Sequence, residues 1–272
     1  MTEPKSRMLD LGSGRPKLEV QEAGSGPNLL FLHGAGGVAW DGALGILARH
    51  FHVYAPALPG FGKSPSEGLE LIDDQLELWQ TGFDLIEALG LDKPLLVGES
   101  FGGWIAAEMA ALRPKEVGKL AVLAPVGLWR DASPVADLFG LTLGELLPYL
   151  FYDMKSKAAV NMSALTSLMS DKDDRTQAQI DALIAIFLGF RTAAKFLFPV
   201  PETGLERRLR RIRVPTLVLW GAQDRLIAPS YAEIFAKQVK NAQVQLIERC
   251  GHLIMAEQPE ACAKEIQRFA GV

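Results

Sequence analysis

Gly98-Glu99-Ser100-Phe101-Gly102 follows the apolar run Leu95-Leu96-Val97 and opens a stretch of small and apolar residues, Phe101 to Leu112, that stops before Pro114. A serine flanked by glycines two before and two after it, where a strand turns sharply into a helix, has the pattern of a nucleophile elbow. The backbone is strained at such a turn, and a side chain at either flanking glycine would clash. The hydroxyl is then left exposed at the amino end of the helix.

Outward from this turn the same rhythm repeats. Leu29-Leu30-Phe31-Leu32 runs into His33-Gly34, His52-Val53-Tyr54-Ala55 leads to Pro59-Gly60, and Lys119 to Leu123 follows the helix that begins at Phe101. Asp73 to Leu89 carries Leu76, Trp79, Phe83, Ile86 and Leu89 at helical spacing and stops at Gly90. Near-continuous apolar strands alternating with amphipathic helices predict a mostly parallel sheet covered on both faces. From about 126 to 211 the alternation breaks into helix-like blocks rich in Phe, Leu and Met: Leu138 to Phe151, Ser156 to Met169, Gln177 to Phe190 and Thr192 to Leu197. It resumes with a strand over Thr216 to Trp220, a helix over Ser230 to Val239, a strand over Val244 to Glu248 and a terminal helix over Glu257 to Phe269. The expected organisation is a core of residues 1–125 and 212–272 with a helical lid at 126–211.

Composition narrows the classes of function. The 272 residues are 49% hydrophobic, and Lys+Arg 28 against Asp+Glu 32 gives a formal net charge of −4. Nucleic-acid binding, which needs many phosphate-neutralising cations, is excluded. The one basic cluster, Arg207, Arg208, Arg210, Arg211 and Arg213, is interleaved with Leu209 and Ile212 and reads as a solvated helix end. Glu3, Lys5, Arg7 and Asp10 leave no apolar signal-peptide core near the start, and the apolar stretch around Ala182 to Leu188 falls short of a membrane span. The expectation is a soluble, cytoplasmic protein without metal or cofactor. Cys250 and Cys262 fit no metal spacing and give at most one disulfide, in keeping with a reducing compartment.

Ligands of an open α/β sheet bind at the carboxyl ends of its strands, and three polar features fall there. His33-Gly34-Ala35-Gly36 supplies a flexible loop of backbone amides, Asp224 follows the strand ending at Trp220, and His252 follows the last strand. The chain order Ser100, Asp224, His252 is that of an elbow serine served by a histidine base and an orienting acid. Asp131 is the rival acid. His33 reads as a structural histidine bonded within its own loop, Glu99 as a turn residue and Cys250 as a small buried hydrophobe.

These motifs, with Leu58-Pro59-Gly60-Phe61-Gly62-Lys63-Ser64 and Pro215 to Gly221, resemble the α/β-hydrolase fold superfamily, in its branch with a helical cap between strands six and seven of an eight-stranded sheet. The resemblance implies that Ser100 attacks a carbonyl, His252 moves the proton, Asp224 orients the imidazole, and the amides of Ala35 and Phe101 hold the oxyanion, with Gly34 and Gly36 shaping the loop. Serine at the elbow excludes the dehalogenase and epoxide-hydrolase chemistry that uses Asp there. Two residues depart from the family pattern: Ala57 stands where many relatives have Asp, and Leu253 where the carbon–carbon bond hydrolases of this branch usually have Trp. The implied activity is a serine esterase for small to medium, largely apolar esters. A carbon–carbon hydrolase of vinylogous diketones and a non-catalytic ligand-binding member of the fold are the alternatives. Candidate substrate contacts are Trp129, Phe139, Met162, Phe187, Arg191, Ile227 and Leu253, with Arg191 a possible reader of a substrate carboxylate. Monomer and homodimer both fit the sequence.

Overall fold

The apolar runs form the middle of one sheet. The computed structural model describes residues 3–40, 42–166, 175–199 and 202–272. The core begins with β1 (Lys5–Asp10), β2 (Lys17–Ala23), β3 (Asn28–Leu32), α1 (Ala43–Leu47), β4 (His52–Pro56), α2 (Gln75–Ala88), β5 (Leu95–Glu99), α3 (Phe101–Leu112) and β6 (Lys119–Leu123). The inserted helices are α4 (Leu143–Leu150), α5 (Lys157–Thr166), α6 (Gln177–Leu197) and α7 (Leu205–Leu209). The core closes with β7 (Thr216–Gly221), α8 (Ala232–Gln238), β8 (Ala242–Ile247), α9 (Ile254–Glu257) and α10 (Pro259–Ala270). The eight strands lie in the order β1-β2-β4-β3-β5-β6-β7-β8. β2 is antiparallel to both neighbours, and the remaining pairs are parallel. Leu29, Leu30, Leu96, Val97, Leu120 to Leu123 and Leu217 to Trp220 are all buried, as strands covered on both faces require.

The helical insertion lies between β6 and β7, as expected, but its elements differ in detail from the sequence blocks. Gln177–Leu197 is one helix of 21 residues rather than two, because Arg191 is a good helix former and nothing there breaks the main chain. The block from Leu138 becomes helical only at Leu143, where Thr142 and Glu145 form a capping box. Residues 167–169 of the Ser156 to Met169 block lie outside the described residues. At the carboxyl end Pro259 starts α10 at its first turn, so the terminal helix divides into α9 and α10.

The turn at residues 58–64 joins cap to core. Thr192 of α6 donates to the carbonyl of Pro59, and Lys195 donates to the carbonyl of Leu69 at 3.0 Å. Gly60, at φ 84°, lets the turn approach α6 so closely that a Cβ there would lie 2.9 Å from the Leu188 carbonyl. Ala57, buried in the core, hydrogen-bonds through its main chain: its N–H donates to the Glu19 carbonyl at 2.8 Å, and its carbonyl accepts from Ser64 Oγ at 2.6 Å. The carboxylate of this turn comes from buried Glu19 of β2, which accepts from the Lys63 N–H at 2.7 Å.

Candidate active site

Ser100 stands between β5 and α3 at φ 52° and ψ −110°, a conformation costly for any residue with a side chain. Its surroundings hold it there. The Ser100 N–H donates to the Leu123 carbonyl at 2.8 Å, and its own carbonyl accepts from Trp104 at 3.0 Å and Val126 at 3.3 Å. The two flanking glycines answer to close approach: a Cβ on Gly98 would lie 2.3 Å from the Gly102 carbonyl oxygen, and one on Gly102 would lie 2.0 Å from that of Leu32. The hydroxyl makes no helix-capping bond and is turned to histidine.

His252 Nε2 is 2.9 Å from Ser100 Oγ, and its Nδ1 is 2.8 Å from Asp224 Oδ2. The other Asp224 oxygen accepts from the Leu226 and Ile227 N–H groups, both at 2.9 Å, which fixes the plane of the carboxylate. Asp224 and His252 are both buried. The rival acid, Asp131, accepts from Trp129 Nε1 at 2.9 Å and is exposed. Burial works against an imidazolium at His252, but the charge and hydrogen bond of Asp224, with the charge of Glu99, outweigh it and shift the group above its ordinary 6.5. Phe101 begins α3, so its N–H has no intrahelical acceptor. The loop carrying Ala35 passes beside Ser100: a Cβ on Gly34 would be 3.4 Å from Ser100 Cβ. A 3.1 Å bond from the Gly37 N–H to the Gly34 carbonyl closes the loop around Ala35 and Gly36.

The remaining sequence candidates fall into two groups. Ile227 is buried against Asp224 through its amide, and Leu253, half-buried, directly follows His252. Trp129, Phe139 and Met162 are half-buried and pack against the core; Phe139 meets Phe190 and Phe198 edge-on at 6.3 and 6.0 Å. Phe187, in contrast, is 57% exposed on α6, and Arg191 is exposed and pairs with Glu70. His33 is buried, donates from Nδ1 to the Gly34 carbonyl at 2.6 Å and accepts at Nε2 from the Leu58 N–H at 3.0 Å; burial lowers its pKa to about 4, so it stays neutral. Cys250 and Cys262 are free, buried thiols.

Two carboxylates beside the histidine acquire main-chain partners in the fold: Glu99, which the sequence reads as a turn residue or a charge-tuning group, and Glu257, which it does not single out. Glu99 accepts from the Met255 N–H at 3.3 Å, in α9 just after the histidine. Glu257, five residues beyond His252, accepts from the Gly251, Tyr152 and Asp153 N–H groups. The available signal was an acidic side chain one helical turn after the histidine and just before Gln258-Pro259.

Glu99 sets an expectation for pH. If His252 serves as a base it does so only when neutral, and its upward shift then places the acid limb of kcat/KM above 6.5. Glu99→Gln removes one of the negative charges that raise His252, and the limb is expected to move to lower pH. A pH profile of kcat/KM on one ester measures this; a limb that stays in place or moves upward contradicts it.

Residues 29–265 match the alpha/beta hydrolase family. The chain belongs to that family. This α/β hydrolase is 29% identical over 263 residues to monoacylglycerol lipase ABHD6 of Homo sapiens, covering 90% of this chain and 76% of the relative. It is 28% identical over 276 residues to the 2-hydroxy-6-oxo-6-(2'-aminophenyl)hexa-2,4-dienoic acid hydrolase of Metapseudomonas resinovorans, covering 95% and 89%. Among solved structures, a bacterial membrane phospholipase A superposes with a TM-score of 0.71 at 26% identity, over 99% of this chain and 86% of that one. The eight-stranded sheet with helices on both faces and a helical cap between β6 and β7 is the α/β-hydrolase fold. No helix among the described residues is long and apolar enough to cross a membrane.

Proposed function

We propose that this α/β hydrolase is a serine esterase that cleaves small to medium, largely apolar carboxylic esters through an acyl-Ser100 intermediate. The observation that carries this reading is the unbroken relay from Ser100 Oγ to His252 Nε2 at 2.9 Å and from His252 Nδ1 to Asp224 Oδ2 at 2.8 Å. His252 takes the Oγ proton as the oxygen attacks the ester carbonyl, then returns it to the departing alcohol. Asp224 holds the imidazole in the tautomer that leaves Nε2 free and stabilises the imidazolium between these steps. The amides of Phe101 and Ala35 receive the oxyanion, and each such donor typically contributes about 10²–10³-fold. Water then attacks the acyl group by the same proton route in reverse. Residues 126–211 serve as the lid over Ser100, with Trp129, Phe139 and Met162 shaping an apolar acyl site.

The human relative named a monoacylglycerol lipase supports ester chemistry, and the lid's cationic candidate, Arg191, is directed to Glu70. The second reading, carbon–carbon hydrolysis of a dienol diketone, is favoured by the similarity to the hexadienoic acid hydrolase over 95% of this chain. The test is a turnover profile over aryl esters of graded acyl length and one dienol diketone, with a phosphonate probe located by mass. Multiple turnover of the esters and probe mass at Ser100 are the expected results. Esters hydrolysed while Ser100 stays unmodified would overturn the proposal. Faster turnover of the diketone would put the second reading in its place, and tight binding without turnover would make the protein a ligand-binding member of the fold.

A further inference from the structure

The loop that carries His252 is bonded to the cap as well as to the core. The carbonyl of Leu150, the last residue of α4, accepts from the His252 N–H at 2.8 Å and from the Leu253 N–H at 3.3 Å. Gly251 permits this contact: a Cβ there would lie 2.6 Å from that carbonyl oxygen and 2.8 Å from the Tyr152 nitrogen. Glu257 of α9 closes the arrangement. Its Oε1 accepts from the Asp153 N–H at 2.7 Å, and its Oε2 accepts from the Gly251 N–H at 2.7 Å and the Tyr152 N–H at 3.2 Å. One carboxylate therefore gathers three main-chain donors, two from the cap and one from the residue before the histidine.

Hydrogen bonds to an ionised acceptor are roughly twice as strong as neutral ones. Three of them on a single side chain set the position of the Gly251–His252 backbone relative to residues 152–153. Beside the main-chain bonds to Leu150, two side chains hold the loop to the core: Gln223 Oε1 accepts from the Cys250 N–H at 3.0 Å, and Gln258 Nε2 donates to the Arg249 carbonyl at 3.0 Å. Glu257 is the side chain that spans both parts. We propose that Glu257 is a positioning residue that fastens the histidine loop to the cap segment between α4 and α5, so that the height of His252 over Ser100 follows the seating of the cap. The proposal rests on the serine-hydrolase reading. A displacement of about 1 Å in such a group costs on the order of 10²-fold in rate, so a modest slip of this fastening is visible in kcat.

The discriminating variant is Glu257→Gln, which keeps the shape but offers one acceptor oxygen and sets an NH₂ against an N–H donor. Active-site titration with the phosphonate counts competent Ser100 groups, and kcat per titrated site with KM on one aryl ester gives the readout. The expected result is a kcat per site lowered about 10–100-fold with KM changed by less than about threefold. The rate of Ser100 phosphonylation should fall in parallel, since it needs the same base. A merely structural role would lower the thermal midpoint and the number of titratable sites but leave kcat per site at the wild-type value. A value within about twofold of wild type overturns the proposal. Glu257→Asp keeps the charge and withdraws it by one methylene; it should fall between wild type and Glu257→Gln, and it carries the test if the glutamine variant does not fold. Wild-type enzyme without Ser100-dependent turnover defeats the esterase reading itself. Ser100-dependent turnover that is indifferent to Glu257 defeats this proposal alone.

Discussion

Ser100→Ala is expected to lower kcat on an aryl ester by about 10⁶, with KM and the thermal midpoint close to those of the parent. The serine oxygen makes one side-chain hydrogen bond, to His252 Nε2, and no capping bond to α3, so its removal subtracts the nucleophile and little else. The strained φ of 52° belongs to the main chain and is paid no differently by alanine. What remains should be the roughly 10³–10⁴-fold advantage over water that an oxyanion hole and binding supply by themselves. Asp224→Asn probes the next link. The amide oxygen can still accept from Leu226 and Ile227, but its NH₂ then faces His252 Nδ1, which favours the tautomer with the proton on Nε2, and a loss of about 10⁴ in kcat follows. Steady-state kinetics with a phosphonate titration of each variant separates the two losses. Retention of more than about 1% of wild-type kcat by Ser100→Ala would remove the acyl-serine step from the mechanism.

The parts of this molecule that could be read from sequence are those where local chemistry and global position coincide. The elbow was legible because the strained serine needs glycine on both sides, and the backbone distances at Gly98 and Gly102 show why no other residue fits. The central strands were legible because both faces are buried, which turns them into apolar runs. β1 was not, since all its residues except Leu9 are exposed at the sheet edge and carry no alternation. The start of α4 was written as Thr142-Leu143-Gly144-Glu145, a capping-box pattern that hydrophobic content alone overlooks.

Side-chain roles set by tertiary partners were the hardest to read. Glu257 gains two of its three donors, Tyr152 and Asp153, from 105 and 104 positions away, and only Gly251 is near in sequence, so no local pattern announces its role. Arg191 lies in a helix whose sequence suits either a pocket or a surface, and Glu70, 121 positions earlier, decides between them. Phe187 is similar: its position on α6 follows from which side of the helix meets the core, and only Gly189 and later residues of α6 are buried. The basic cluster at 207–213 divides in the same way, since one of its five arginines reaches a partner 100 positions back.

That arginine supports the largest expected effect on stability. Glu108 of α3 is fully buried at its side chain, and Arg208 of α7 meets it with a two-pronged grip, Nε to Oε2 and Nη2 to Oε1, both at 2.6 Å. Trp104 Nε1 donates to the same Oε1 at 3.2 Å, Arg208 Nη2 also donates to the Thr203 carbonyl at 2.6 Å, and the guanidinium lies 5.4 Å from the Trp79 ring centroid. Arg208→Ala would leave a carboxylate in the interior without its counter-charge, a loss of about 3–5 kcal/mol for a pair of this kind. At about 2–3 °C per kcal/mol for a chain of this size, the thermal midpoint should fall by roughly 6–15 °C. Arg208→Lys should recover only part of it, because an ammonium cannot reproduce the fork. The cause is tested by the double variant Glu108→Leu/Arg208→Leu. If the penalty comes from an unpaired buried charge, removing both charges restores most of the lost stability; if it comes from lost hydrogen bonds, the double variant is at least as unstable as Arg208→Ala. A midpoint for Arg208→Ala within about 2 °C of wild type would show that the interior accommodates the Glu108 side chain without its counter-charge at little cost. In either case kcat per titrated site at 25 °C should stay close to that of wild type, since the pair holds α3 to α7 and neither side chain bonds to Ser100, Asp224 or His252.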